Sequence, residues 1–416
     1  RISFFKDVFN AYIQKYKNDN FKYFYNDTFS YTKYSGKEYD LVNIDLSKFI
    51  DNVNSETIDL LKSNIDNKID SIVSNNSNII NNQEELSQIL NRPEKPVFSW
   101  VHNLGNYIIK KIDLYFNELL IDSLDSDWVN IWNNISNIKS KEESYNKMIG
   151  NYEELNSLDG KIKQSKTLYI PLKFWFCNVP GLNIPLIAMP YVDINLNFTF
   201  EDLSNLVRKS IGSEIIGDGK FKSSLIVNYI YLDQNERKLF AESRHEYLIE
   251  QIQTNSFENL YNGETTKNVL LSFKNCIKDI FYVIIKENNV LFRERSNYSL
   301  IDHKMNGGNP IKSTTLEFNG RDRFRNYSGF YTNYITPYEK YLSTPSDGIN
   351  ILSFSLDPNV FQPSGCCNFS MLEEPYLKLI VDSDYLNDHD GKILVYARSY
   401  NILRIMSGQS GLAFVN

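Results

Sequence analysis

The sequence predicts an all-β protein built from two Greek-key sandwiches in tandem. Many short segments alternate between apolar and polar residues, whereas few segments have the spacing of a helix. The chain has 416 residues, which is a comfortable length for two domains. A weak internal repeat of seven residues favours a duplicated unit, because PYVDINL at 190–196 is similar to PYLKLIV at 375–381.

The stretch from 168 to 200 has the strongest strand character in the chain. It begins with the aromatic and β-branched run at 169–176, turns at 178–181, and ends in an apolar/polar alternation at 192–199. Period two over that length predicts a strand with one buried face. Four prolines punctuate the stretch and argue against a helix in it: Pro171, Pro180, Pro185 and Pro190.

The first domain is predicted over 1–215. Its opening 50 residues favour short strands and hairpins, and apolar residues at helical spacing then predict a helical insertion at about 51–96. Three strands and one helix follow before a charged connection at 137–165. The strands are predicted at 98–101, 112–116 and 119–121, and the helix, with Trp128 and Trp132 four residues apart, at 127–135.

The second domain is predicted over 216–416, after a glycine-containing loop at 201–220. Asp233 and Glu236 have the spacing of a capping box, which predicts a helix from there to about Ser243. The strands of this domain are predicted at 225–232, 247–252, 279–285, 314–318, 351–356, 377–381, 393–396 and 400–406.

Charge and composition exclude several classes of protein. The net charge of −7 and the pI near 5.4 argue against direct packing on nucleic acid. No apolar run approaches the roughly 20 residues that span a bilayer. Free buried thiols in a reducing compartment are predicted rather than a zinc site, because the cysteines form no CxxC pair and have no neighbouring histidine. The cysteines are Cys177, Cys276, Cys366 and Cys367.

Catalytic chemistry has little support in the sequence. His245 and Glu246 lack the second histidine of a HExxH zinc helix, and the other histidines are dispersed. Neither a GxSxG nucleophile motif nor a phosphate-binding P-loop occurs. We therefore predict a protein that is not an enzyme and that has no catalytic residue, cofactor or metal.

Several colinear stretches together resemble one family, the major capsid proteins of nucleocytoplasmic large DNA viruses. They cover nearly the whole chain and are ISFFK at 2–6, FSWVHNLG at 98–105, LYIPLKFWFC at 168–177, PGLNIPLIA at 180–188, YIYLDQNER at 229–237, HEYLIEQ at 245–251, LEFNGRDRF at 316–324, QPSGCCNFS at 362–370 and YNILRIMSGQSGLA at 400–413. The segment at 51–96 departs from the family pattern, where the connection is usually short.

The resemblance implies two tandem eight-stranded jelly rolls, a double jelly roll, with short helices and a helical insertion in the first. It also implies a homotrimeric capsomer of pseudo-hexagonal outline that tiles the icosahedral shell of a virion. Minor capsid proteins and an inner viral membrane are the implied partners beneath the shell, and assembly is implied in the host cytoplasm. The Tyr-rich loops at 254–267 and 296–348 are expected to form the contacts between chains in the trimer and the tower of the capsomer.

Two other functions fit the predicted fold. One is a scaffold of the same fold that templates a viral membrane and then leaves the particle. The other is a carbohydrate-binding jelly-roll protein, which needs a metal triad or an aromatic-lined pocket. The motifs supply no such triad.

Overall fold

The computed structural model describes residues 98–158, 163–209, 221–287, 294–301, 306–382, 385 and 390–414, and the strands at 29–31 and 42–44. The chain divides into two units, residues 1–94 and 95–416. In the first unit, the described residues form one antiparallel strand pair, β1 (Phe29–Tyr31) with β2 (Val42–Ile44). The predicted insertion at 51–96 lies outside the described residues. The boundary predicted at 215/216 stays a prediction.

Antiparallel strands dominate the second unit. The strands are β3 (Phe98–Trp100), β4 (Ile109–Phe116), β5 (Leu119–Asp125), β6 (Ile194–Phe200), β7 (Val207–Lys209), β8 (His245–Thr254), β9 (Glu258–Leu260), β10 (Thr266–Leu270), β11 (Cys276–Lys286), β12 (Ile311–Phe318), β13 (Arg321–Ser328), β14 (Asn350–Ser353), β15 (Cys367–Asn368), β16 (Tyr376–Val381), β17 (Gly391–Met406) and β18 (Gln409–Leu412).

The described helices are short, none longer than 11 residues. They are α1 (Leu104–Ile108), α2 (Ser126–Ser136), α3 (Lys139–Ile149), α4 (Glu153–Asn156), α5 (Trp175–Asn178), α6 (Leu203–Leu206), α7 (Gln234–Glu242) and α8 (Thr336–Lys340). Three 3-10 turns (Pro180–Leu182, Leu186–Ala188 and Phe369–Met371) and a π-helical turn (Tyr331–Ile335) complete the described helical structure.

A seven-stranded sheet forms the middle of the second unit. Its path runs β14-β11-β17-β18, with β15 paired to β11 and with β8 and β9 paired to β17. A four-stranded sheet, β10-β16-β12-β13, and a three-stranded sheet, β5-β4-β6, are separate from it. Since every described pair is antiparallel, short connections suffice to join neighbouring strands.

Strand β11 explains the layering, because it is buried on both faces. Every residue from Ile277 to Lys286 is buried. Ile280, Tyr282 and Ile284 contribute to one hydrophobic core, whereas Phe281, Val283 and Ile285 contribute to another. Successive side chains of a strand point to opposite faces, so this apolar run must be covered from both sides.

The two cores cover the two faces of the seven-stranded sheet. On one face, residues of the four-stranded sheet such as Val269, Leu316 and Leu377 pack against β11 and β17. On the other face, α2 and the three-stranded sheet supply the partners, with Trp128 at the centre. Trp128 lies 5.2 Å from Phe281 and 5.6 Å from Tyr396, measured between ring centroids. The hydrophobic core around Trp128 therefore contains residues from both halves of the sequence.

Strong local signals are confirmed. Helix α2 spans the predicted 127–135, and Asp125 caps it by accepting a hydrogen bond from Trp128 N at 2.7 Å. Helix α7 begins with the predicted capping box, in which Asp233 accepts from Glu236 N at 2.9 Å and Glu236 accepts from Asp233 N at 3.2 Å. The all-β prediction is also confirmed by the sheets of the second unit.

Three local predictions are wrong. The run at 169–176 forms no described strand, and α5 lies at its end. The prolines therefore do not exclude helical structure from 168–200 as predicted, because the turn of α5 falls between Pro171 and Pro180. Residues 137–165 include α3 and α4 rather than only a connection. The segment at 225–232 is extended but forms no ladder with any described strand, and Tyr231 is 91% exposed.

Two further strands differ in extent from their predictions. The strands predicted at 393–396 and 400–406 are one continuous strand, β17. The strand predicted at 351–356 ends at Ser353. The gap between the two predicted strands contains Arg398 and Ser399, which are polar but buried. The apolar pattern therefore stops there, although the hydrogen-bonded pairing of β17 with β11 continues.

The variant Trp128→Ala tests the core that joins α2 to the seven-stranded sheet. Trp128 is 1% exposed, so we expect a loss of about 3–5 kcal/mol in the free energy of unfolding. Urea unfolding followed by circular dichroism measures the loss. Met371→Ala, at a residue 78% exposed, is the control and should change stability by less than about 0.5 kcal/mol. Equal losses in the two variants would contradict the assignment of Trp128 to the core.

Candidate assembly surface

A largely buried ionic cluster links β8, β11 and β17 within the seven-stranded sheet. We call it the Arg398 cluster, and its members are Glu250, Lys278, Asp279, Tyr341 and Arg398. The Arg398 guanidinium donates from Nε to Asp279 Oδ1 at 2.9 Å and from Nη2 to Asp279 Oδ2. The Tyr341 hydroxyl donates to Asp279 Oδ2 at 2.6 Å, and Glu250 accepts from both Arg398 and Lys278.

The charges of the Arg398 cluster balance, with two cations and two carboxylates. Burial alone lowers the pKa of Arg398, but Asp279 and Glu250 outweigh it and raise that pKa. Burial and the neighbouring Arg398 charge lower the pKa of Lys278. Burial and the nearby Asp279 raise the pKa of Tyr341, which keeps its proton for the hydrogen bond. A fully paired cluster of this kind is costly to break at a single member.

Arg398 also contacts the opposite layer. Its guanidinium lies 4.2 Å from the centroid of the Trp132 ring, and Trp132 stacks on Trp128 at 5.6 Å. A guanidinium over an indole face is a favourable cation–π contact, and it is stronger where water is excluded. One side chain thus connects β11, β17 and α2.

A second polar contact zone lies along β5, where three carboxyl groups are buried. Asp122 accepts hydrogen bonds from Ser123 N at 3.0 Å and from Ile252 N, on β8, at 3.1 Å. Asp125 accepts from the Tyr396 hydroxyl at 3.0 Å, and Asp127 is paired with Arg295. These contacts fix the three-stranded sheet and α2 against β8 and β17.

Burial dominates the acidity of these carboxyl groups. It raises the pKa of Asp122 to about 7, against the opposing effect of its two backbone hydrogen bonds. Burial and the neighbouring Asp127 raise the pKa of Asp125 to about 6. The pKa of Asp127 is also raised by burial, although Arg295 opposes that shift. The interior of this unit is therefore sensitive to pH near neutrality.

The two loops expected to form contacts between chains are only partly exposed. In 254–267, Phe257 and Tyr261 are exposed, but Leu260 is buried in the core that the four-stranded sheet covers. In 296–348, Tyr298 is buried and its hydroxyl accepts from Asn130 Nδ2 at 3.2 Å. Gly348 has φ +91°, and a Cβ there would lie 2.0 Å from the Tyr298 carbonyl oxygen. The beginning of the second loop is therefore core rather than surface.

The segment 296–348 contains β12, β13 and α8 rather than only a loop, and large exposed apolar side chains lie on its later part and, at Leu356, after β14. We call Phe330, Tyr338, Leu342 and Leu356 the exposed aromatic surface; Tyr338 and Leu356 are each 81% exposed and Phe330 is 64% exposed. Lys340 donates to the Ser355 carbonyl at 2.7 Å, which fixes α8 against the segment after β14. Exposed aromatic side chains on an anchored element are typical of protein–protein interfaces.

The sequence-predicted chemical candidates do not form a site in the described residues. His102 is exposed, and His245 Nε2 lies 2.7 Å from the Phe240 carbonyl oxygen. Among the described residues, no group of three or more His, Cys, Asp or Glu side chains is placed to hold a metal ion. No described helix is long and apolar enough to cross a membrane. The four cysteines are free thiols, but the prediction that they are buried is wrong: Cys177 and Cys366 are exposed, and Cys276 and Cys367 are half-buried.

The Arg398 cluster and the three buried carboxyl groups were not predicted from the sequence. A signal for the cluster exists, because Lys278 and Asp279 interrupt the otherwise apolar run CIKDIFYVIIK. Arg398 similarly interrupts β17. Charges inside segments that must be buried on both faces indicate paired partners, although the sequence does not say which residues pair.

Comparison with known families accounts for most of the chain. The model of the large eukaryotic DNA virus major capsid protein matches residues 236–411, and the model of the major capsid protein N-terminus matches residues 65–233. The major capsid protein of Pyramimonas orientalis virus is 31% identical, over 75% of this chain and 78% of that protein. The chain belongs to this family of major capsid proteins.

Other relatives agree with the assignment. The major capsid protein of Phaeocystis pouchetii virus is 27% identical over 76% of this chain and 82% of that protein. The major capsid protein of Paramecium bursaria Chlorella virus 1 is 29% identical over 74% of this chain and 79% of its own length. These relatives are structural proteins of the virion, and this capsid protein is accordingly not an enzyme.

Solved structures show the same fold. A quasi-atomic structure of the PBCV-1 virus capsid matches with a TM-score of 0.62 at 24% identity, covering 77% of this chain and 89% of that one. PBCV-1 VP54, fitted into a reconstruction of the virophage Sputnik, matches with a TM-score of 0.61 at 25% identity and the same coverage. These neighbours are double jelly-roll capsid proteins, so the predicted fold class is confirmed.

The variant Arg398→Met tests the Arg398 cluster. It leaves Asp279 buried without its cation, so we expect a loss of about 3–5 kcal/mol in the free energy of unfolding. The double variant Asp279→Leu/Arg398→Met should recover most of that loss, because no unpaired charge remains. Urea unfolding measures both values.

Arg404→Met is the matched control, since Arg404 lies on the same strand in an exposed ion pair with Glu246. It should cost less than about 1 kcal/mol. A double variant as unstable as Arg398→Met would contradict the proposed role of charge pairing.

The variant Asp122→Asn tests the buried carboxyl groups. The pKa of Asp122 in the folded chain, about 7, lies above its ordinary value, so protonation favours folding. The contribution is complete below about pH 4 and is lost as the pH rises through about 7. Between those values we expect the wild type to lose up to about 1.4 kcal/mol per pH unit from this group.

Asp122→Asn should flatten the pH dependence of unfolding, measured in urea from pH 5 to 8, because the amide oxygen still accepts from the two backbone N–H groups but does not ionise. Asp193→Asn changes an exposed carboxyl group and serves as the control. An unchanged slope in Asp122→Asn would show that Asp122 does not titrate in this range.

Proposed function

We propose that this capsid protein forms homotrimeric capsomers of pseudo-hexagonal outline, which tile the icosahedral shell of a large DNA virus. Two jelly rolls in each chain and three chains in each capsomer give six similar sandwiches around one axis. A block of that kind fits hexagonal packing although only three chains build it. Minor capsid proteins and the inner viral membrane are the proposed partners beneath the shell, with assembly in the host cytoplasm.

The exposed aromatic surface is the observation that carries the proposal. Phe330, Tyr338 and Leu356 are largely exposed in the single chain. Hydrogen bonds from Lys340 to the Ser355 carbonyl oxygen and from Asn359 to the Lys340 carbonyl oxygen hold α8 against the segment that contains Leu356. Apolar side chains held in that way gain free energy when a second copy covers them. The interior is consistent with this role, because the Arg398 cluster and the two hydrophobic cores hold the sheets of the single chain together.

The charge of the chain is consistent with a shell that does not package nucleic acid by direct contact. The formal net charge is −7, so electrostatic attraction to phosphate is unfavourable for the chain as a whole. We propose that contact with the viral genome is left to other components. The inner membrane and the minor capsid proteins then lie between this shell and the genome.

Native mass spectrometry of the purified chain tests the trimer, and we expect a mass three times that of the 48.6 kDa subunit. Tyr338→Asp should raise the subunit dissociation constant about tenfold or more, because a charge replaces a desolvated aromatic contact. Circular dichroism should show that the variant keeps its fold, since Tyr338 makes little contact within its own chain.

Met371→Asp is the control, as Met371 is exposed outside the exposed aromatic surface, and it should leave the trimer intact. A monomer at micromolar concentration would overturn the trimer. Purified mature particles should contain this chain as the dominant protein. A trimer that is missing from mature particles would indicate instead a membrane-templating scaffold of the same fold.

A further inference from the structure

Three of the four cysteines meet at the beginning of β11, although Cys276 is about 90 positions from Cys366 and Cys367 in the sequence. Strand β11 begins at Cys276, and β15 pairs with it so that Cys276 is opposite Asn368 and Ile277 is opposite Cys367. Neighbouring hydrogen bonds fix this register, since Asn275 N donates to Ser370 Oγ at 2.8 Å and Phe369 N donates to the Asn275 carbonyl at 2.9 Å.

The register separates the three thiols between the two faces of the sheet. Cys367 is opposite Ile277 and packs with it against the core between β11 and the four-stranded sheet. Cys366 is two residues before Asn368, so an extended chain places its side chain on the same face as Cys276. The two thiols are near enough for Cys276 to affect the pKa of Cys366.

Cys276 and Cys366 are also accessible to solvent and are not bonded to another sulfur. Cys366 is exposed and Cys276 is half-buried, and both are free thiols. Burial and the neighbouring Cys276 raise the pKa of Cys366 to about 11, so this thiol is protonated at neutral pH. The other groups around the pair are Tyr400, which is opposite Cys276 on β17, Lys278 over the Tyr400 ring, and Arg323 beside Cys367.

We propose that Cys276 and Cys366 form a redox-dependent disulfide that pins the segment between β14 and β15 to the central sheet. The oxidant is a disulfide compound of the glutathione class. One thiolate of the pair attacks a sulfur of the oxidant, whose S–S bond breaks and releases one thiol. The second cysteine gives its proton to water and attacks the mixed disulfide, forming the protein S–S bond and releasing the second thiol. Two electrons pass from the protein to the oxidant.

The competing pairings are disfavoured by the same geometry. Cys366 and Cys367 are adjacent in the chain, and a disulfide between them requires a strained geometry. Cys276 and Cys367 point to opposite faces of the sheet. The disulfide has a structural consequence because the segment it holds includes Leu356 and is hydrogen-bonded to Lys340 of α8. Oxidation therefore restrains one border of the exposed aromatic surface.

Oxidation of the native chain by oxidised glutathione tests the proposal. We expect the titratable thiols to fall from four to two, and non-reducing peptide mapping by mass spectrometry to recover a peptide that joins Cys276 to Cys366. Dithiothreitol should restore all four thiols. The oxidised chain should unfold about 3–8 °C higher than the reduced one, since the bond closes a long loop.

Cys276→Ser and Cys366→Ser each remove one member of the pair, so these variants should keep their three remaining thiols or retain a glutathione adduct. Cys367→Ser and Cys177→Ser leave the pair intact, so these variants should still lose two thiols on oxidation. A peptide joining Cys366 to Cys367 or Cys276 to Cys367, or a stable glutathione adduct on Cys366 of the wild type, would overturn the proposal. Peptide mapping of the wild type decides the pairing even where a variant fails to fold.

Discussion

Burial of β11 on both faces is the constraint on which the rest of the fold depends. An apolar strand of that length is stable only when a layer covers each face, and here one layer comes from each half of the sequence. The charges at the beginning of β11 must then be paired within the protein. Asp279 meets Arg398 from β17, and Arg398 in turn lies on Trp132 from α2. The same side chain satisfies a buried carboxylate and connects two layers.

The sequence was sufficient where a signal is local. The capping box at Asp233 and Glu236, the Trp-bearing helix α2 and the alternating strand β6 all lie where the pattern predicts them. It failed where long-range contacts decide. Residues 225–232 have the pattern of a strand but no described strand pairs with them, and the apolar pattern in β17 breaks at Arg398 because its partner Asp279 lies 119 positions away.

The assembly surface shows the same division. Tyr-rich composition is the basis for predicting contacts between chains at 296–348, but composition does not separate Tyr298, which fills the core, from Tyr338, which faces solvent. That distinction depends on Gly348 and Asn130, which close around Tyr298 from other segments. The thiol pair is a similar case, since only strand pairing brings Cys276 to residues some 90 positions later. Family resemblance, by contrast, needed only colinear motifs, and the comparisons confirm it.

The uninterrupted course of β17 has a mechanical consequence. Its 16 residues extend about 50 Å and are bonded in turn to β9, β11, β8 and β18. Tension applied along this strand is shared by ladders on both of its edges, so many hydrogen bonds must break together before it slides. A load applied to the capsid protein in this direction is therefore carried by one backbone and its two ladders rather than by the loops.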